Sequence, residues 1–144
     1  MGSYPPQGAG GGSGAKNTKN LLLNLIPLFT GWVTPPGTNA DIVDELTDTL
    51  TTPGTTSDID NYVTYDLGSS LRVSIYTFIF SPDYGHMPIE IQVSDDNATW
   101  YSATAVEDLV NNLACYAKTR YVQFHLSPYF SMSITQLKMR VYLL

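Results

Sequence analysis

Between residues 61 and 143 apolar and polar residues alternate in short runs separated by turn residues. A period of two is the signature of a β-strand with one face buried. Val63, Tyr65 and Leu67 alternate with Thr64 and Asp66, and Gly68 closes the run. A second run, Leu71 to Phe80, sets Val73, Ile75, Thr77 and Ile79 opposite Arg72, Ser74, Tyr76, Phe78 and Phe80. Its far end is apolar on both sides, which predicts a central strand. Ile89 to Ser94 alternates cleanly, and Asp95-Asp96-Asn97 then predicts a tight turn, because Asx side chains bond their own backbone and tolerate left-handed geometry. Further runs are Thr99 to Ala103, Tyr121 to Leu126 and Ser133 to Leu143. Six or more short strands with regular turns predict an all-β sandwich or barrel. The alternation nominates Val63, Tyr65, Leu67, Ile75, Ile91, Val93, Trp100, Val122, Phe124 and Leu137 for the core.

Upstream the pattern is looser. Leu21 to Phe29 suits either a first strand or a short helical turn. Gly31, Pro35, Pro36, Gly37, Pro53 and Gly54 then punctuate a Thr-rich stretch. Within it, Ile42, Val43, Leu46 and Leu50 fall near helical spacing, so 41–50 is a candidate short helix. Residues 1–20 hold six of the eleven glycines together with Pro5, Pro6 and Ser13. Such a composition has too little apolar surface to offset its ordering entropy and predicts a flexible arm. The expected division is an arm, 1–20, and a sandwich domain, 21–144.

Composition sharpens this picture. Hydrophobic residues make up 43% of the 144 and charged residues only 14%, so Thr, Ser, Asn and Gln must supply the polar surface. The net charge is −6, and six of the thirteen acids fall between 41 and 60, where no Lys or Arg occurs. After Lys19 the cations Arg72, Lys118, Arg120, Lys138 and Arg140 are scattered, which argues against nucleic acid as a partner. The start lacks the charged and apolar regions of a signal peptide. Leu21 to Phe29 is too short to span a bilayer and contains Pro27, so no membrane insertion is expected. Cys115, the single cysteine, lies among apolar neighbours and reads as a small buried hydrophobe.

From residue 61 the order of motifs resembles the discoidin, or coagulation-factor C-type, family of galactose-binding-like domains. Its landmarks stand here as Val63-Thr64-Tyr65-Asp66-Leu67-Gly68, Leu71-Arg72-Val73-Ser74-Ile75 and Ile91-Gln92-Val93-Ser94-Asp95-Asp96-Asn97-Ala98-Thr99-Trp100. They continue as Thr119-Arg120-Tyr121-Val122-Gln123-Phe124 and Ile134-Thr135-Gln136-Leu137-Lys138-Met139-Arg140-Val141-Tyr142. The resemblance implies a discoidin-like jelly-roll β-sandwich, here behind an extended arm. It suggests an Asp66–Arg120 bridge and places Trp100 in the core. Many members hold a structural calcium with an Asp-Gly loop and a Glu near the last strand. Here the loop reads Asp48-Thr49-Leu50 and Gln136 stands about where that Glu would be, so the expectation is no metal and no cofactor, with calcium the one candidate. The paired cysteines of extracellular members are absent.

Little in the chain suggests catalysis: two His, one Cys, no zinc spacing and no phosphate-cradling loop after a strand. His125, between Phe124 and Leu126 in a strand, reads as structural. Sugar recognition needs an aromatic face for C–H groups and polar side chains for hydroxyls. Trp32 beside Gly31, the loop 81–86 with Tyr84 and His86, and the loop 127–130 with Tyr129 offer these, so Trp32, Tyr84, His86 and Tyr129 form the candidate glycan site. The start Tyr4-Pro5-Pro6-Gln7-Gly8 looks like those of phage tail, fibre and decoration proteins. The leading expectation is therefore a non-catalytic virion structural or adhesion component, of tail, baseplate, fibre or capsid decoration. It would be homo-oligomeric, extracellular, and joined to other virion subunits through its arm. The alternative is a free carbohydrate-binding lectin module that recognises a cell-surface glycan.

Overall fold

A computed structural model describes residues 19–36, 42–43, 54–82, 85–86, 90–103, 113–128 and 130–144. Among the described residues nine strands follow one another: β1 (Leu28–Thr30), β2 (Gly54–Thr55), β3 (Asn61–Ser81), β4 (Gly85–His86) and β5 (Glu90–Ser94), then β6 (Tyr101–Ser102), β7 (Leu113–Leu126), β8 (Ser133–Ile134) and β9 (Gln136–Leu143). All strand pairings are antiparallel. The fold is a discoidin-like jelly-roll β-sandwich.

The sandwich is built by two strands that each serve both of its layers. β3 pairs through Tyr62–Thr64 with β1 on one side and through Asn61–Asp66 with β7 on the other, giving the order β1-β3-β7-β5-β6. Its second half, Val73–Phe80, pairs with β9, while Leu71–Thr77 still pairs with β7. Between the halves, residues 67–70 of β3 oppose Arg120 alone, so the register shifts and the strand bends. Gly68 sits in the bulge at φ +91°. The two runs predicted at 61–67 and 71–80 are therefore one strand, folded over at the glycine that seemed to end the first. β7 reaches back to Leu113, well before the predicted Tyr121. The predicted run 133–143 is broken at Thr135, whose amide leaves the ladder to bond Phe80 O at 3.1 Å.

The core lies where the alternation placed it. Val63, Tyr65, Ile75, Ile91, Val122, Phe124 and Leu137 are buried, and Leu67 and Val93 are partly buried against them. Trp100 departs from expectation: it is half-buried and stands outside the core cluster, because it follows the turn at 95–99 rather than continuing a paired strand. Cys115 is buried opposite Ile75, and desolvation pushes its thiol up to about 11, which keeps it protonated and inert.

The N-terminal side is tied in by one residue. Leu21 to Asn24 form a turn, with Asn24 at φ +67°, before β1 begins. Asn20 is fully buried. Its Nδ2 donates to Val43 O at 2.9 Å and Met139 O at 3.0 Å, and its Oδ1 accepts from Leu22 N at 3.1 Å and Val141 N at 3.0 Å. Although composition assigned Asn20 to the arm, it packs with the sandwich. Ile42 and Val43 have helical backbone and are buried. The rest of the candidate helix, the acids Asp41, Asp44, Glu45 and Asp48, and residues 1–18 lie outside the described residues.

Candidate functional site

The strand registers sort the connections between two ends of the sandwich. At one end β3 starts at Asn61, β7 finishes at Leu126 and β5 starts at Glu90, all in mutual register. The bend in β3 brings Ser81 back to this end, where β4 pairs His86 with Phe80. Backbone bonds tie the neighbouring loops together. Thr34 pairs with Thr55, and Thr56 N bonds Met132 O at 2.9 Å. Trp32 enters from β1, its Nε1–H donating to Tyr62 O at 3.1 Å and its ring lying edge-on to Phe29 at 6.3 Å. Gly31 makes that approach possible: a Cβ there would lie 2.0 Å from Asp60 O, and its φ is +89°. A side chain at 31 would push Trp32 away from Asp60 and Tyr62.

Beside Trp32, the outer face of the sheet carries a hydrogen-bonded polar ladder across three strands. Thr64 Oγ1 donates to Gln123 Oε1 at 2.8 Å, Gln123 Nε2 to Gln92 Oε1 at 2.7 Å, and Gln92 Nε2 to Glu90 Oε1 at 3.0 Å. Glu90 Oε1 also lies 3.0 Å from His125 Nδ1, and His125 Nε2 lies 2.8 Å from Asp60 Oδ1. The Tyr62 ring stacks on the imidazole at 4.7 Å and 12°. These contacts follow from the pleat, since Tyr62, His125 and Glu90 are direct cross-strand neighbours.

The charges of this cluster are set by its bonds. Burial alone would lower the His125 pKa, but the hydrogen bonds to Glu90 and Asp60 outweigh it and the net shift is upward. Carboxylates only accept, so both ring nitrogens must carry hydrogen for both contacts to be hydrogen bonds. The imidazolium is the matching state. The His125 contact in turn holds the Asp60 carboxyl below its usual range. Desolvation, with Asp60 and Glu90 adding to it, raises the Tyr62 phenol and keeps it neutral. Among the described residues the Tyr62 hydroxyl makes no hydrogen bond, so it is available to a ligand.

Of the four residues nominated for sugar, Trp32 is placed as above, partly buried with its indole N–H already engaged. The backbone of His86 belongs to β4 at this same end. The His86 side chain, Tyr84 and Tyr129 lie outside the described residues. Tyr62, Asp60 and Glu90 escaped the sequence reading, and His125 was read as structural. Alternation gives a strand residue its face but not its cross-strand partner. With both ring nitrogens of His125 engaged, neither is left for a metal. Among the described residues no group of three His, Cys, Asp or Glu is placed to hold one. No described helix is long and apolar enough to cross a membrane.

The expected Asp66–Arg120 bridge is present at the other end. It is bidentate, Nε to Oδ1 at 2.9 Å and Nη2 to Oδ2 at 3.1 Å, and both side chains are more than 40% exposed. Arg120 also lies 5.1 Å over the Tyr121 ring. A solvated pair of this kind links two neighbouring strands and adds little to stability.

No family model and no curated protein sequence matches the chain. Solved structures do. Chitosan-binding module 1 of a chitosanase/glucanase from Paenibacillus sp. IK-5 aligns at 16% identity and a TM-score of 0.58, covering 86% of this chain and 98% of its own. CBM32-1 from a family 31 glycoside hydrolase of Clostridium perfringens gives 15% and 0.56, covering 86% and 97%. A Streptococcus pneumoniae fucose binding module gives 17% and 0.54, covering 88% and 98%. At these identities the likeness establishes the fold, that of discoidin-like carbohydrate-binding modules.

Proposed function

We propose that the protein is a non-catalytic carbohydrate-binding module whose sugar site lies at the end of the sandwich around Trp32, Tyr62 and His125. The observation that carries this reading is the Tyr62–His125 stack held between Asp60 and Glu90. It combines an aromatic surface, a free phenol and carboxylates with unused lone pairs. Sugars are recognised by such sets, C–H groups against a ring and paired hydroxyls against planar acceptors. The proposed site extends to Tyr84, His86 and Tyr129, whose positions in the sequence fall next to strand ends at this side of the sandwich. The similar structures support the same class, for the Paenibacillus module is chitosan-binding and the Streptococcus module fucose binding. The alternative of a virion assembly component rests on residues 1–18, which lie outside the described residues.

A glycan array on the purified full chain, with light scattering after size exclusion, tests this. The expected result is a glycan signal lost in Tyr62→Ala, Tyr84→Ala and Tyr129→Ala while their thermal melts still show a folded sandwich. A trimer or larger oligomer without any glycan signal would overturn it in favour of the assembly role.

A further inference from the structure

At the opposite end, where β5 finishes, β6 begins and β7 passes Arg120, the surface opens into a pocket of about 340 Å³. That is the lower end of the roughly 300–1,000 Å³ typical of small-ligand sites. Its framework is fixed. Ser94 N donates to Thr119 Oγ1 at 3.1 Å, which donates in turn to Tyr121 O at 2.8 Å. The turn is held by Asp96, whose Oδ1 accepts from Ser94 Oγ at 2.9 Å, Ala98 N at 2.9 Å and Thr99 N at 2.8 Å. The backbone bonds from Thr99 and Ala98 bring its carboxyl down to about 2, so it is spent on the turn. Asn97 completes the turn at φ +59°.

What remains is unspent. Tyr101 pairs with Val93 at the sheet edge and is 65% exposed. Lys118 is exposed on β7. Asp95 gives Oδ1 to the Arg120 amide at 3.0 Å and keeps Oδ2. Among the described residues the Tyr101 hydroxyl, Lys118 Nζ and Asp95 Oδ2 have no partner. An open ring, a donor and an acceptor thus meet in one concavity that the fold does not need for its own stability.

We propose that this pocket is a second binding site, one that takes a neutral hexopyranoside. A pyranose offers C–H groups to the Tyr101 ring, a hydroxyl oxygen to Lys118 and a hydroxyl proton to Asp95. An anionic sugar would gain one cation but meet two carboxylates, Asp95 and Asp96, and is disfavoured. The proposal does not depend on the site around Trp32, because the two ends share no lining residue.

The test is an NMR titration of the full chain with methyl galactoside, glucoside and mannoside, and with galacturonate as the anionic counter-probe. At least one neutral glycoside should shift the amides of Asp95, Thr99, Tyr101 and Lys118. Tyr101→Ala and Lys118→Met should each weaken that binding by about tenfold, the loss of one ring contact or one charge-assisted bond. Asp95→Asn keeps an acceptor for the Arg120 amide, so it removes the charge without breaking the turn. It should weaken binding while leaving the thermal melt unchanged. Shifts confined to Trp32 and Tyr62 would overturn this site and leave the other standing; shifts confined to the pocket would do the reverse. No shift up to tens of millimolar sugar, or stronger shifts with galacturonate, would also overturn it.

Discussion

Asn20 offers the sharpest test of the packing. Its side chain satisfies four buried backbone groups, the carbonyls of Val43 and Met139 and the amides of Leu22 and Val141. Asn20→Ala leaves all four without that partner. A buried polar group left unpaired costs about 1–3 kcal/mol, and water entering the gap recovers part of it. The net loss should be about 3–5 kcal/mol. For a chain of this size that lowers the Tm by about 10–15 °C. In urea the midpoint should fall with an unchanged slope, since the surface exposed on unfolding is the same. Asn20→Asp keeps the size and the acceptor but turns a second oxygen toward two carbonyls. Its carboxyl pKa is then raised in the folded state, so the charge destabilises at neutral pH and stability returns as pH falls through that folded value. The alanine variant has no such recovery. A Tm loss below about 3 °C in Asn20→Ala would refute the idea that this residue ties the first turn to β9.

Two glycines of similar φ should behave differently. Gly31→Ala drives a Cβ into Asp60 O and should cost about 3 kcal/mol or more, whereas Gly68→Ala meets nothing within 4 Å and should cost about 1–2 kcal/mol; equal losses in urea melts would undo the argument. His125 should titrate above the ordinary histidine value of 6.5. A raised folded pKa stabilises in full below the unfolded value and loses that contribution as pH rises through the folded one. Asp60→Asn and Glu90→Gln should each bring the titration down, and a wild-type NMR titration at or below 6.5 would contradict the imidazolium.

The features legible in the sequence are those set by near neighbours. Alternation located Val63, Tyr65, Ile75, Ile91, Val122 and Phe124 in the core because pleat and burial share one period. Asp95-Asp96-Asn97 was readable because Asx chemistry is local, and the Asp66–Arg120 pair because its two motifs lie in recognisable strands. The bulge was misread because Gly68-Ser69-Ser70 carries the composition of a chain end, and only the partner strand shows that the ladder resumes. Asn20 was hidden by the glycines before it, since composition averages over a window and one buried amide does not register. Trp100 was misplaced because a turn resets the alternation. The pocket at Tyr101 and Lys118 had no local signal at all, because 16 residues lie between its ring and its cation.

Why two recognition surfaces can coexist on one small domain follows from β3 and β7. β3 is hydrogen-bonded on both sides through most of its length, and β7 is so from Tyr121 to His125, the stretch that lies between the two ends. Five residue steps separate Asn61 at one end from Asp66 at the other, roughly 17 Å along the strand. No monosaccharide bridges that gap, so the ends are sterically independent. They are also mechanically independent, because a doubly paired central strand has no second register to shift into while its inner face is buried. Coupling between sites requires an element with two arrangements, and the strands between Tyr62 and Asp95 run in continuous register. Binding energies at the two ends should therefore add. Tyr62→Ala and Tyr101→Ala combined should lose the sum of their separate effects, within about 0.5 kcal/mol. A larger deviation would mean that the bulge at 67–70, the one irregular joint in β3, transmits strain from one end to the other.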